Sequence, residues 1–141
     1  MKILIAADGS TYTKRMLAYL AAHDEWLGSK AHDFSVLTVS PPVPPRAAAV
    51  LDRDLLKGYY ADEVERVFKP IRAFFKKQGI EAEFTSKIGH VAEVIAKTAD
   101  AGDYDLLVMG SHGHSTLGSL VMGSVTTKVL AHCKTPVLLI R

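Results

Sequence analysis

The stretch Ile3-Leu4-Ile5-Ala6-Ala7-Asp8-Gly9-Ser10 decides how this chain folds. Its first five residues are all apolar, which is typical of a strand covered on both faces of a sheet. Asp8 and Gly9 end the strand, and Ser10 is a residue type that caps helices. Apolar residues then recur at helical spacing, at Met16, Leu17, Leu20 and Leu27. The beginning of the chain therefore predicts a buried strand, a short turn and an amphipathic helix.

Strands and helices continue to alternate along the rest of the chain. Apolar or alternating segments predict strands at 34–39, 80–88, 105–109 and 137–140. Helical spacing predicts helices over about 47–78, around 91–99 and from residue 125. The apolar residues that give this spacing lie on one face of the long helix at Val64, Val67, Phe68, Ile71, Phe74 and Phe75, and mark the other two helices at Val91, Val94, Ile95, Ala99, Val125, Val129 and Leu130. This alternation predicts a parallel sheet with helices on both faces.

Prolines and glycines mark the irregular parts of the chain. Prolines at 41–45 predict a stiff loop, because proline lacks the N–H that a sheet or a helix interior needs. Pro70 is expected to kink or split the long helix, and Gly79 is expected to end it. A second long irregular segment, glycine-rich, covers 111–122.

Composition limits the classes of protein that this chain can belong to. It has 141 residues, 48% hydrophobic and 23% charged, and a formal net charge of +2. This size predicts one domain over 1–141, and the near-neutral charge argues against a nucleic-acid or membrane-surface partner. Cys133 is the only cysteine, so no disulfide can form within the chain. With no signal-peptide core or 18-residue apolar span, we expect a soluble cytoplasmic protein.

Two unusual loops are expected to meet at one edge of the sheet. In open α/β sheets, ligands bind beyond the carboxyl ends of the strands, where the strand order reverses. If the first strand is central and the fourth lies beside it, residues 8–10 face the loop 110–118. Gly110 and Gly113 permit positive φ and lack the side chains that would keep a phosphate away from the backbone. Gly123-Ser124 then begins the last helix, whose N-terminus attracts anions, so we predict a phosphate-binding crevice.

Other functions fit the same residues less well. The first strand is followed by neither a P-loop nor a GxGxxG motif. Residues 10–13 resemble a flavodoxin phosphate loop, but a flavin carrier leaves the Gly110 loop without a role. A receiver domain needs a phospho-acceptor aspartate after the third strand, where this chain has Ile88-Gly89.

Several individual residues have a functional and a structural interpretation. His112 and His114 lack a nearby third metal ligand, so we expect them to be exposed or to face phosphate, His112 especially. Ser111 is not expected to contact His112, because neighbouring loop residues seldom face each other. Cys133 is expected to be a partly buried thiol. Tyr59-Tyr60 either line a wall near the proline loop or simply pack, and a solvated helix face is expected at Asp62, Glu63, Glu65, Arg66 and Lys69.

The two loops together resemble the ATP-binding branch of the universal stress protein family. The carrying motifs are Ala7-Asp8-Gly9-Ser10 and Gly110-x2-Gly113-x9-Gly123-Ser124, which matches the family signature Gly-x2-Gly-x9-Gly-(Ser/Thr) without a gap. The resemblance covers essentially all 141 residues. It implies a Rossmann-like fold, similar to adenine nucleotide alpha hydrolases, with an open five-stranded parallel sheet of order 3-2-1-4-5.

The resemblance also implies an adenine nucleotide (ATP, ADP or AMP) with Mg²⁺ in the crevice. Asp8 would contact the ribose hydroxyls or the metal-phosphate side, and the backbone of Val39 would read the adenine edge. The implied binding residues are Asp8, Val39, Met109, Gly110, His112, Gly113, Gly123, Ser124 and Val125. Many relatives have Pro or Val before the acidic residue, where this chain has Ala6-Ala7. The segment 113–123 contains no Lys or Arg, so phosphate charge would rest on backbone dipoles, a cation or protonated histidine.

Two functional hypotheses follow, and one prediction about assembly. The first is a nucleotide-dependent stress-response or signalling module without efficient turnover. The alternative is a slow ATPase or nucleotide-dependent transferase that uses Asp8 and Mg²⁺. The last strand, Val137-Leu138-Leu139-Ile140, is apolar and is expected at a sheet edge, where it predicts a homodimer.

Overall fold

The computed structural model describes residues 1–27, 31–114 and 121–141. The strands are Lys2–Ala6 (β1), Asp33–Ser40 (β2), Ala82–Ile88 (β3), Leu106–Gly110 (β4) and Val137–Ile140 (β5). The helices are Thr11–Ala22 (α1), Asp24–Leu27 (α2), Pro45–Ala48 (α3), Arg53–Gln78 (α4), Val91–Ala101 (α5) and Ser124–His132 (α6). Every predicted strand is present within two residues of its expected ends.

The five strands form one parallel sheet in the order β3-β2-β1-β4-β5, which confirms the expected topology. β1 is central, since Ile5 is paired with Val36 of β2 on one side and with Val108 of β4 on the other. Ile3, Leu4 and Ile5 are essentially inaccessible to solvent. The unbroken apolar run at 3–7 is therefore explained by burial on both faces.

Helices cover both faces of the sheet, and alternate residues of β1 point to opposite layers. Ile3 and Ile5 pack in one core with residues of α1 and α4, including Met16, Phe68 and Ile71. Leu4 and Ala6 pack in the other core with residues of α5 and α6, including Ile95, Ala99 and Val129. The fold thus has two apolar cores separated by the sheet.

The long predicted helix over 47–78 is wrong at its beginning. A short helix, α3, ends at Ala48, and α4 starts only after Asp52, whose carboxylate accepts a hydrogen bond from the Asp54 N–H at 3.4 Å. An aspartate at the N-cap position supplies an acceptor that the first turn lacks, so the break occurs there. α4 then runs unbroken through Pro70 and ends at Gly79, which has a φ of +69°.

Two other helix predictions are corrected. The first helix ends at Ala22, because His23 leaves the helical conformation and its ring Nδ1 lies 2.9 Å from the Tyr19 carbonyl oxygen. Of the apolar residues that predict the last helix, Val129 is fully buried but Leu130 is 40% exposed. Successive helix positions differ by about 100°, so α6 buries Val129 and turns Leu130 outward.

Polar side chains attach the irregular segments to the core. Asp100, in α5, accepts hydrogen bonds from the N–H groups of Lys134 and Thr135, from the Thr135 hydroxyl at 2.9 Å and from the Cys133 thiol. Cys133 is partly buried, as expected, and burial raises the pKa of its thiol. The Tyr60 hydroxyl accepts a hydrogen bond from the Val43 N–H at 2.8 Å, so Tyr60 holds the proline loop.

Candidate functional site

Asp8 is held rigidly at the carboxyl end of β1. Its Oδ1 accepts hydrogen bonds from the Ser10 N–H at 2.9 Å and from the Thr13 hydroxyl at 3.1 Å. The Thr13 Oγ1 in turn accepts from the N–H groups of Asp8 and Gly9, each at 3.2 Å. This reciprocal arrangement occupies one carboxylate oxygen and fixes the direction of the other, Oδ2.

Ser10 stands at the N-cap position of α1 but does not cap the helix with its side chain. Its hydroxyl is buried and has no hydrogen-bond partner within the described part of the chain. Asp8 instead accepts from the Ser10 N–H and from the Thr13 hydroxyl, so it joins the turn to the first turn of α1. The carboxylate of Asp8 is therefore part of the local fold as well as of the crevice.

The glycines of the second loop permit close approach rather than a left-handed turn. A β-carbon on Gly113 would lie 2.7 Å from Asp8 Oδ2, and one on Gly110 would lie 2.7 Å from Tyr12 Cβ. Neither glycine has a positive φ, so the conformational freedom that glycine permits is not used at either position. Among the described residues, positive-φ glycines occur at Gly9 and Gly79. Gly110 and Gly113 are needed because side chains there would collide with the first loop.

The second loop returns to the first loop and then enters α6. The His114 ring Nε2–H donates to the Asp8 carbonyl at 2.6 Å. The Gly123 N–H donates to the Ser111 carbonyl at 2.8 Å, and the Thr126 hydroxyl donates to the Gly110 carbonyl at 3.1 Å. The N-terminus of α6 is therefore fixed beside the end of β4. Residues 115–120 of the loop predicted at 111–122 lie outside the described residues.

Ser111 and His112 are in contact, contrary to expectation. Ser111 Oγ lies 2.9 Å from His112 Nδ1 because the loop turns immediately after β4. Ser111 is only 1% exposed, so its hydroxyl is inaccessible to a substrate in solution. The His112 ring packs against Tyr12 with 4.8 Å between ring centroids. In the described ranges, no group of three or more His, Cys, Asp or Glu residues is placed to hold a metal.

A crevice with an inner and an outer part opens between the two loops. The inner cavity, about 70 Å³, has apolar walls formed mainly by Ala6, Leu37, Val91, Ile95 and Met109. The outer cavity, about 280 Å³, includes Asp8, Ser40, Glu63 and Ser124 in its lining. Asp8, Val39, Gly113 and Val125 border both parts. Apolar surface predominates in both parts, and the outer part adds the Glu63 carboxylate and the Ser124 hydroxyl.

Unpaired backbone groups face this crevice from two directions. The Leu37 carbonyl accepts from the Ala7 N–H at 2.9 Å and so points toward β1. Because strand geometry repeats every two residues, the backbone groups of Val39 point the same way, beyond the end of β1. In α6 the first intrahelical bond runs from the Thr127 N–H to the Gly123 carbonyl, at 3.0 Å. The N–H groups before it have no helical acceptor and carry partial positive charge.

The universal stress protein family model matches residues 1–141. The chain belongs to the universal stress protein family. A universal stress protein of Thermus aquaticus is 34% identical over 142 aligned positions, which cover 99% of this chain and 97% of that protein. Universal stress protein Slr1230 of Synechocystis is 31% identical over 140 positions, but this chain spans only 42% of its length.

Solved structures of the family have the same fold. The structure of MJ0577 superposes with a TM-score of 0.77 at 25% identity, over 99% of this chain and 94% of that one. An Arabidopsis thaliana family member with AMP bound has a TM-score of 0.70 at 16% identity, over 99% and 90%. An Archaeoglobus fulgidus universal stress protein in complex with dAMP has a TM-score of 0.67 at 20% identity, over 100% and 98%.

In this universal stress protein, all nine residues singled out from the sequence border the crevice. They are Asp8, Val39, Met109, Gly110, His112, Gly113, Gly123, Ser124 and Val125. The sequence did not identify Thr13 and Thr126, whose contacts fix the two loops. It also assigned Glu63 to a solvated helix face, although Glu63 borders the outer cavity. No local signal reveals Glu63, because its position depends on how α4 rotates against the sheet.

No helix within the described residues is long and apolar enough to span a membrane.

Proposed function

We propose that this universal stress protein binds an adenine nucleotide in the crevice between the Asp8 loop and the Gly110 loop. The observation that carries the proposal is the meeting of Asp8 Oδ2, the glycine backbone at Gly113 and the N-terminus of α6 around one cavity. Anions bind readily at helix N-termini, and ligands bind in this fold where the strand order reverses.

The two parts of the crevice suit the two ends of a nucleotide. The inner cavity has apolar walls from Val91, Ile95 and Met109, which suit a flat base. The backbone of Val39 lies at its edge and can read the base by hydrogen bonds. Asp8 Oδ2 can then accept hydrogen bonds from the ribose hydroxyls. The first N–H groups of α6 and the Ser124 hydroxyl can donate hydrogen bonds to the phosphate.

The residues of the crevice fit a Mg²⁺ ion that binds together with the nucleotide. Mg²⁺ prefers oxygen ligands and is commonly held by one or two carboxylates together with substrate phosphates. Asp8 Oδ2 can supply one such oxygen. Because the described residues contain no three-ligand cluster, the nucleotide itself must complete the coordination.

Nucleotides bound to other family members support the choice of ligand. One neighbour carries AMP, one dAMP, and a third, a universal stress protein with 22% identity and a TM-score of 0.68, was solved in complex with cAMP. The ligands differ in sugar and phosphate but share adenine. The apolar inner cavity of this chain is consistent with adenine as the common element.

We further propose that the nucleotide acts as a conformational ligand for a stress-response or signalling role. Asp8 is fixed by two hydrogen bonds on Oδ1, and its orientation suits binding better than proton transfer to a mobile water. The Ser111 hydroxyl, which contacts His112, is only 1% exposed and cannot supply a nucleophile to solution. A slow ATPase or nucleotide-dependent transferase that uses Asp8 and Mg²⁺ is the alternative.

The direct test is mass spectrometry of small molecules released when the purified protein is denatured, followed by thermal unfolding with added nucleotide. A ligand at one hundred times its dissociation constant stabilises a fold by about 2.7 kcal/mol. We expect adenine nucleotides in the released fraction and a raised unfolding temperature. No stabilisation by AMP, ADP or ATP with Mg²⁺ at millimolar concentration would contradict the proposal.

We also propose a homodimer formed through β5. β5 and β3 are the two edges of the sheet, but they differ in chemistry. β3 carries Glu83 and Lys87, and charged residues discourage edge pairing. β5 is Val-Leu-Leu-Ile, with its first three residues only partly buried. Two β5 strands related by a two-fold axis would pair antiparallel. Each strand would then cover the apolar side chains of the other, and the contact would be closed.

A further inference from the structure

The crevice offers an incoming phosphate little positive charge. Two carboxylates, Asp8 and Glu63, border it, together with the imidazoles of His112 and His114. Within the described residues, no lysine or arginine side chain borders either of its parts. The sequence of 113–123 contains none either. Apart from the two imidazoles, the ionisable groups with a charge at neutral pH that border the crevice within the described residues are the carboxylates of Asp8 and Glu63.

Glu63 contributes its charge at the mouth of the crevice. It belongs to α4 and borders the outer cavity, which the N-terminus of α6 also borders through Gly123 and Ser124. Its carboxylate lies 3.0 Å from the guanidinium of Arg66, but the Arg66 side chain is 74% exposed. Solvent screens such exposed ion pairs, so Arg66 cancels only part of the field of Glu63 inside the crevice.

The positive potential that remains suits a single phosphate group. A helix N-terminus carries about half a unit of positive charge, and its effect is confined to the first turn. Lys128 of α6 lines a separate depression, which Glu93 also borders, and does not line either part of the crevice. Glu63 borders the same cavity as Ser124, so a second or third phosphoryl group in that cavity would share it with a carboxylate and with no bordering lysine or arginine side chain of the described residues.

We propose that this crevice selects adenine nucleotides with one phosphate over metal-free triphosphates, and that Glu63 is a specificity-determining residue for this choice. The inference rests on the proposed nucleotide site. Each additional phosphoryl group adds negative charge, and its repulsion by a carboxylate several ångströms away is appreciable at the intermediate dielectric of a protein surface. A divalent cation on the triphosphate relieves that repulsion and restores binding.

The test compares the dissociation constants of AMP, ATP with EDTA, and ATP with Mg²⁺ by isothermal titration calorimetry on the full chain. We expect AMP to bind at least about tenfold more tightly than metal-free ATP, which corresponds to about 1.4 kcal/mol. Mg²⁺ should tighten ATP binding strongly and AMP binding little. Raising the salt concentration should reduce the difference between AMP and metal-free ATP, because salt screens exposed charges.

Three variants separate Glu63 from general effects of charge. Glu63→Gln should lower the dissociation constant of metal-free ATP several-fold and that of AMP much less. Arg66→Gln should weaken the binding of metal-free ATP, because it leaves the Glu63 charge uncompensated. Glu65→Gln is the matched control, since Glu65 pairs with Arg72 at 2.6 Å and borders neither part of the crevice. It should leave both dissociation constants unchanged.

Two kinds of failure can be told apart. Equal affinities for AMP and metal-free ATP, or a Glu63→Gln effect no larger than that of Glu65→Gln, would overturn the charge selectivity while leaving the nucleotide site intact. Absence of binding by every nucleotide would overturn the proposed function, and the selectivity with it.

Discussion

The carboxylate of Asp8 and the backbone of Gly113 face each other so closely that a β-carbon at Gly113 would lie 2.7 Å from Asp8 Oδ2. Real β-carbons do not approach an oxygen this closely, so Asp8 or the loop would have to move. The two loops that form the crevice are therefore matched in shape at this point. Any side chain at 113 should disturb Asp8 and the phosphate path together.

Gly113→Ala is expected to remove most of the stabilisation by adenine nucleotide, and Gly113→Val all of it. The wild type should gain about 2.7 kcal/mol at a hundredfold excess of ligand over its dissociation constant. Thermal unfolding with and without nucleotide measures the difference. Stabilisation of Gly113→Val equal to that of the wild type would contradict this role for Gly113.

Gly58→Ala is the matched control for that substitution. Gly58 lies inside α4, and a β-carbon there would meet nothing within 4 Å. Alanine is favoured over glycine inside helices by about 0.5–1 kcal/mol. The variant should therefore be slightly more stable than the wild type and should bind nucleotide equally well.

We expect Asp8 to contribute to the binding of the nucleotide rather than to the hydrolysis of ATP. Asp8→Asn retains an oxygen that can accept from Ser10 and Thr13, so the loop should keep its shape while the charge is lost. In Asp8→Asn, nucleotide affinity with Mg²⁺ should fall, while the stability of the ligand-free protein should change little. In Asp8→Ala, both the nucleotide affinity and the stability of the ligand-free protein should fall.

Phosphate release from ATP by the wild type should be absent or very slow. Release at several turnovers per second, abolished in Asp8→Ala, would identify an enzyme.

The sequence predicted the sheet because its strands are local patterns. The apolar runs at 3–7 and 137–140 have few alternatives to a strand, and the structure confirms both within one residue. The expected strand order came from the family resemblance rather than from periodicity. The break before Asp52 was missed because apolar spacing continues across it, and only the cap shows where α4 begins.

The sequence predicted the parts of the candidate site that backbone groups of the two loops form. It missed the parts that side chains from distant helices contribute. Glycines at 110, 113 and 123 stand out in the sequence, although their role is close approach rather than positive φ. Glu63 is more than 45 residues from both loops in the sequence and reaches the crevice only because α4 packs across β2. Such a contact has no local signature.

The stability of the fold should depend on the ionisation of Asp100. Hydrogen bonds from the Lys134 N–H and from Thr135 hold the pKa of this carboxyl below its usual value. A group whose pKa is lowered on folding stabilises the protein above its unfolded pKa, near 3.9 for aspartate, and this contribution is lost as pH falls through the folded pKa. Asp100→Asn should therefore be less stable than the wild type at neutral pH, by urea unfolding.

The difference between wild type and Asp100→Asn should shrink on acidification below pH 4. Asp103→Asn is a suitable control, because Asp103 is in the turn that follows the same helix and shows no comparable set of contacts among the described hydrogen bonds. A difference independent of pH would mean that Asp100 acts through its shape rather than through its charge.

The edge strand β5 should carry the dimer contact. It is short and uncharged, its residues 137–139 are partly buried, and it is hydrogen-bonded to β4 on one side only. Leu139→Glu would place a charge within the proposed contact without touching either loop of the crevice, and should give monomers or insoluble protein. Thr85→Glu, on the opposite edge strand β3, is the control and should leave the oligomeric state unchanged. Sedimentation measures both. A wild-type monomer at micromolar concentration would rule out the contact, because the apolar edge of β5 would then be tolerated in water.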